Sequence, residues 1–207
     1  MNPALKRFHG SITALITPFR DGAFDRQAFD RLVETQIKHG THGLVACGTT
    51  GESPTITEKE HLYIVERCVA IVKGRVPVIA GTGSNSTAEA IAMTKFAQEA
   101  GADAALIVVP YYNKPTQEGL YAHYRAIHDA TNIPIILYNV PPRTVADLSI
   151  ETTARLASLP RIIGIKDAAG DPSRVSKLRA LVGEDFLQFA GDDALALAFL
   201  EQGAHGN

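Results

Sequence analysis

Short apolar runs alternate with segments of helical period from one end of the chain to the other, and that alternation limits the possible folds more than any other feature. The first run, ITALITPF (12 to 19), leads into RQAFDRLVETQIKHG, where Phe29, Leu32, Val33 and Ile37 recur at helical spacing before Gly40 closes the segment. GLVACG (43 to 48) precedes a helix opened by Thr57 with Glu60 three residues on, a capping-box pattern with Leu62, Val65, Val69 and Val72 on one face. PVIAG, AALIVVP, PIILYN, IIGIKDA and DFLQFAG follow, each with its own helical segment, which makes seven β/α units.

Strands that are apolar throughout, and not alternately polar, belong to a parallel sheet covered by helices. A doubly wound open sheet and a TIM (β/α)8 barrel both satisfy that requirement. The barrel is favoured because polar and glycine-containing turns follow several strands: GTTGES, GTGSN, PYYNKP, YNVPPRT, IKDAAGD and AGDD. A barrel brings all of those ends to one mouth, whereas an open sheet concentrates its chemistry at one crevice. The expected architecture is therefore a single α/β barrel domain over residues 1–207. It is expected to be truncated after seven units, since the chain ends at EQGAHGN with no eighth apolar run, leaving the first and seventh strands with unpaired edges.

Composition narrows the function. With 45% hydrophobic residues among 207, the chain can build one substantial core. The 20 Lys and Arg nearly balance the 22 Asp and Glu, without long blocks of either sign, so the footprint of a nucleic-acid binder is missing and a small-molecule partner is expected. Cys47 and Cys68 form no CxxC pair and read as reduced core thiols. The first ten residues carry no signal-peptide core, and no later stretch approaches the ~20 apolar residues of a membrane helix, so a cytoplasmic, membrane-free protein is expected. GTGSNS (81 to 86) lacks the last glycine of a dinucleotide-binding loop, and P-loop, HExxH and GxSxG motifs are all missing. His123 and His128 stand five apart, off one helical face, so no metal site is expected.

Lys166 is the residue that most needs explaining, because it ends the apolar run IIGIKD, where an ammonium ion is costly to bury. A partly dry pocket disfavours the charged form and leaves neutral amine for attack on a keto acid, but a strand-end lysine can equally pair with Asp167 or reach water. Tyr138, and Tyr111 with Tyr112, follow two other strands and offer phenols for proton transfer, or serve as amphipathic core residues. GTTGES offers backbone N–H groups to a carboxylate and hydroxyls to a proton relay, if it is more than a turn. Arg143 is a planar fork suited to a second carboxylate, or a solvated loop residue.

GSITALITPF, GTTGES, AGTGSN, PYYNKPTQEGL, LYNVPPRT, GIKDAAGD, AGDD and GAHG, in this order and at these intervals, make the chain resemble the dihydrodipicolinate synthase family of pyruvate-dependent class I aldolases over essentially its whole length. The resemblance implies a TIM barrel followed by a small helical domain, which this chain would lack. It implies a lyase that condenses pyruvate with L-aspartate-4-semialdehyde on the way to diaminopimelate and lysine, without a dissociable cofactor or metal. Carried onto matching positions, Lys166 would form the Schiff base and Tyr138 would relay its protons. Thr50 would link Tyr138 to Tyr112, which would reach a neighbouring subunit's site. Backbone amides at Thr49 and Thr50 would hold the pyruvate carboxylate, Arg143 would hold the semialdehyde carboxylate, and Gly191 would add a main-chain contact. A homotetramer is implied, and a feedback site for L-lysine at Ser53, Pro54, Glu58, His61, Asn85, Glu89 and Tyr111. The rival readings are N-acetylneuraminate lyase, a keto-deoxy-sugar aldolase, or an inactive barrel fragment. The pair Thr49 and Thr50, the PPRT arginine and GIKDAAGD lean toward the synthase.

Overall fold

The computed structural model describes residues 5–207. The strand β1 (Ile12–Ala14) is shorter than the apolar run that announces it. The chain leaves it through Pro18 into a small antiparallel hairpin, β2 (Phe19–Arg20) and β3 (Ala23–Phe24), which the sequence pattern did not reveal. Strands and helices then alternate as expected: α1 (Arg26–Lys38), β4 (Gly43–Ala46), α2 (Glu58–Val72), β5 (Val78–Gly81), α3 (Thr87–Glu99), β6 (Ala104–Val108), α4 (Gln117–Ala130) and β7 (Ile135–Asn139). After β7 come the single turn α5 (Pro141–Thr144), α6 (Ile150–Ala157), β8 (Ile162–Asp167), α7 (Ser173–Val182), β9 (Leu187–Ala190) and α8 (Ala196–Glu201).

Local chemistry starts these helices where the sequence places their caps. Asp25, Thr57, Ser86, Thr116 and Ser149 each accept a hydrogen bond from the backbone N–H three residues on. Each such cap contributes about 1 kcal/mol. Thr57 and Glu60 complete the reciprocal capping box.

The strands pair in parallel in the order β1-β4-β5-β6-β7-β8-β9. Ile12, Val45, Ile79, Leu106, Ile136 and Phe189 meet on one face of the curled sheet, which is the filled interior of a barrel. The opposite face packs under the helices, with Phe29, Ile64 and Cys68 on one side and Leu120, Tyr124, Ile127 and Leu156 on the other. No helix among the described residues is long and apolar enough to cross a membrane.

The unpaired edges expected for β1 and β9 do not occur along this stretch. His205 to Asn207 lie between them: the Gly10 N–H donates to the His205 carbonyl at 2.8 Å, the Ile12 N–H to Asn207 at 2.8 Å and the Ala190 N–H to Gly206 at 2.9 Å. Gly206 thus bridges Gly10 and Phe189 and completes the ring. The sequence hid this because three residues with small or polar side chains carry no periodicity, yet their backbone groups suffice for a ladder. A Cβ on Gly206 would lie 2.0 Å from the Gly10 carbonyl oxygen, so the closure admits only glycine. Gly206→Ala is expected to cost about 1–3 kcal/mol and to lower Tm by roughly 3–10 °C in thermal unfolding followed by circular dichroism.

Three histidines couple this fold to acid. Burial lowers the pKa of His123 to about 4, and lowers those of His61 and His205. His205 Nδ1 accepts the Gln188 N–H at 3.1 Å beside the closing segment, a bond that a protonated ring cannot accept. Because each folded pKa lies below the unfolded value, the unfolded chain binds more protons, and stability falls as pH drops through 6.5. Urea titrations at pH 7.5 and pH 5 are expected to show that loss, on the order of 2 kcal/mol from His123 alone. His123→Leu should flatten the dependence.

Candidate active site

Strand β8 holds an irregularity that decides where Lys166 goes. Ile135 lies opposite Ile162, but Ile136 lies opposite Gly164, so Ile163 is an extra residue in the ladder. Ile163 packs inside the barrel, and strict alternation from there would turn Ile165 inward and Lys166 toward the helices. Instead Ile165 packs under the helices and Lys166 faces the interior with Ile136 and Phe189. The bulge re-aims the lysine, as bulges beside functional sites do. Gly164 allows it: a Cβ there would sit 2.5 Å from the Leu187 carbonyl oxygen of β9.

Tyr138 stands opposite Lys166 on β7, and the lysine Nζ lies 5.0 Å from the centre of the phenol ring. Burial drives the Lys166 pKa below its ordinary value, and the Asp193 carboxylate offsets part of that. Burial raises the pKa of Tyr138, against a hydrogen bond with the Thr49 side chain and the positive charge of Arg143. Burial thus favours the protonated phenol and, on the lysine, the neutral amine. A buried pair with pKa values displaced in this way can run nucleophilic attack and proton donation side by side.

The structure answers whether Lys166 pairs with Asp167. It does not: Asp167 points to the helix layer and binds Arg174, Nε to Oδ2 at 2.8 Å. The hydroxyl that acts on the Tyr138 phenol is that of Thr49, while Thr50, the residue expected beside it, is exposed. The loop turns tightly there, with the Glu52 N–H on the Thr49 carbonyl and the Thr17 hydroxyl on the Gly51 carbonyl at 2.6 Å, and Thr49 lines the cavity while Thr50 is exposed.

Thr49 and Arg143 also line a cavity of about 570 Å³. It runs on to Ser53, Pro54, Glu58, His61, Glu89 and Tyr111 and meets the site through Thr49 and Arg143, while Lys166 lines a smaller space inside the barrel with Ile136 and Phe189. His61 donates from Nε2 to the Gly81 carbonyl at 2.7 Å, and Ser84 donates to Glu89 at 2.8 Å. Asn85 stands at its edge and donates to the Tyr111 carbonyl at 3.2 Å. Tyr112 is apart from all of these, 89% exposed and held at a φ of 73°. The Gly191 N–H is taken up by the Asp167 carbonyl at 2.8 Å, which leaves its carbonyl as the group to offer. Sequence reasoning overlooked Asp193, although AGDD contains it, and the outward pair Asp167 and Arg174, for which the only signal was one charge of each sign seven residues apart.

The model of the dihydrodipicolinate synthetase family matches residues 7–207. The chain is 62% identical, over 199 residues, to the 4-hydroxy-tetrahydrodipicolinate synthase of Rhodospirillum centenum, covering 96% of this chain and 68% of that one. Its structure resembles a chloride-inhibited dihydrodipicolinate synthase of Acinetobacter baumannii in complex with pyruvate, with a TM-score of 0.94 and 50% identity over 96% of this chain and 69% of the other. The lysine-bound enzyme of Cyanidioschyzon merolae gives a TM-score of 0.94 at 41% identity, over 97% of this chain and 69% of the other.

Proposed function

The chain belongs to the dihydrodipicolinate synthetase family, and from that premise we propose that it condenses pyruvate with L-aspartate-4-semialdehyde to 4-hydroxy-tetrahydrodipicolinate, a lyase step toward diaminopimelate and lysine. The observation that carries this reading is the buried amine of Lys166, its pKa lowered by burial, facing the Tyr138 phenol across two adjacent strands inside the barrel.

Lys166 Nζ attacks C2 of pyruvate, and its lost proton and the new oxyanion's need for one are both served by groups at hand. Tyr138 donates a proton to the carbinolamine hydroxyl, which leaves as water and gives the imine. The Tyr138 phenolate then takes a C3 proton to make the enamine, whose C3 adds to the aldehyde carbon of the second substrate while the phenol returns that proton to the new alkoxide. The amine of that substrate then displaces Lys166 from C2 as the ring closes, so the lysine is regenerated. Pyruvate is thus held covalently, and no other cofactor enters the scheme. Thr49, not Thr50, relays protons to Tyr138, and Tyr112, exposed and set apart, completes the relay in a neighbouring subunit of a homotetramer. Amides of Thr49 and Thr50 hold the pyruvate carboxylate, Arg143 the semialdehyde carboxylate, and the Gly191 carbonyl a substrate donor. L-lysine binds as an inhibitor in the cavity at Ser53, Glu58, His61, Asn85, Glu89 and Tyr111. The barrel acts as one domain over residues 1–207.

Borohydride reduction with pyruvate, followed by peptide mapping, tests the first step, and product formation from aspartate semialdehyde tests the second. A label on Lys166 with turnover is the expected result. A label with cleavage of N-acetylneuraminate and no condensation would move the chain to a sister activity, and no label would end the Schiff-base reading. Saturating lysine is expected to slow turnover; an unchanged rate would remove the inhibitor site.

A further inference from the structure

Neighbouring residues of a strand point to opposite faces, so the residues that follow Tyr138 and Lys166, Asn139 and Asp167, are directed outward at the same level of the sheet. There they meet a polar network that the condensation itself does not use. Asp167 accepts from Arg174 Nε at 2.8 Å, from the Ala169 N–H at 2.8 Å and from Asn139 Nδ2 at 3.5 Å. Asn139 Nδ2 donates to Asp147 at 2.8 Å and its Oδ1 accepts the Leu148 N–H at 3.0 Å, while Arg174 donates to the Leu148 carbonyl at 2.7 Å. Both backbone groups of Leu148 are therefore held, one by the residue after the tyrosine and one by the partner of the residue after the lysine.

Asn139 is fully buried and Asp167 is 7% exposed. The Arg174 and Asp167 side chains are 14% and 10% exposed, the most enclosed ion pair among the described residues. A buried ion pair contributes little net stability over apolar packing, and what it supplies best is fixed geometry. The bulge at Ile163 makes such fixing necessary, because a ladder that has slipped by one residue has no intrinsic reason to keep Lys166 opposite Tyr138.

Resting on the function proposed above, we propose that Arg174, Asp167 and Asn139 form an outer clamp that sets the position of Lys166 against Tyr138, which makes them positioning residues of the condensation. They touch no reacting atom and act through the strand ends.

The test uses the full chain with Arg174→Met, Arg174→Lys and Asp167→Asn. Trapped pyruvate per chain counts the competent sites, and kcat is expressed per trapped site. For Arg174→Met kcat per trapped site is expected to fall about 10- to 100-fold, with Arg174→Lys between it and the parent. The KM for pyruvate should move by less than about threefold. Arg174→Met removes a positive charge and Asp167→Asn a negative one, so a purely electrostatic effect would shift the pH midpoint of trapping in opposite directions. Loss of the clamp lets water reach the lysine in both, so both midpoints move up. A native kcat per trapped site, with loss only of Tm or of the number of sites, or midpoints moving oppositely, would overturn the clamp. If Arg174→Met does not fold, Arg174→Lys and Asp167→Asn decide by the same readings. A parent chain that takes no label on Lys166 overturns the proposed function and the clamp with it.

Discussion

Lys166→Met is expected to lose the borohydride-trapped pyruvate adduct altogether and at least about 10³-fold of turnover, while keeping the fold. Methionine has a similar length and is apolar, so the interior of the barrel around Ile136 and Phe189 accepts it without a charge to solvate. What disappears is the amine that faces Tyr138. In the parent chain, the rate of adduct formation should rise with pH along a limb whose midpoint lies below 10.5, because burial favours the neutral amine. Mass spectrometry of the reduced protein measures the adduct, and stopped-flow trapping over a pH series measures the limb. An adduct that persists in Lys166→Met, or a midpoint at the ordinary lysine value, contradicts the assignment.

Tyr138→Phe is expected to lower kcat by about 10²- to 10⁴-fold, the range for removal of a general acid, with little change in the KM for pyruvate. Phenylalanine keeps the ring that faces Lys166 and the packing on Val140 and Ile136, so the effect isolates the hydroxyl. The raised pKa of Tyr138 keeps that hydroxyl protonated at neutral pH, as a donor to the carbinolamine must be. Thr49→Val should show a smaller loss of the same kind and Thr50→Val still less, since it is the Thr49 hydroxyl that lowers the phenol pKa while Thr50 is exposed. Steady-state kinetics on the three variants gives the order, and a larger effect at Thr50 would reverse the relay.

Much of this was legible in the chain because it is local. The cap at Thr57 and the glycine-rich turns are written in neighbouring residues, and α2 begins where the cap stands. Apolar strands such as IILYN read directly as buried ones. Less was legible where two distant segments had to meet. Which threonine acts on Tyr138 depends on how the loop after β4 turns, and two adjacent threonines look alike in a sequence. Asp167 beside Lys166 looked like its partner, whereas the strand turns the two side chains to opposite faces and gives Asp167 to Arg174.

The sequence by itself determined the α/β alternation, the parallel sheet, and the kinds of groups gathered at the strand ends, because periodicity, capping and turn chemistry are properties of a few consecutive residues. Tertiary structure alone decided three things: that Lys166 faces inward past the bulge at Ile163, that Asp167 turns outward to Arg174, and that His205 to Asn207 close the ring between β9 and β1. Each is a matter of register between segments far apart in the chain. A shift of one residue there exchanges the two faces of a strand, and nothing in the shifted segment's own residues records which register its neighbour imposes.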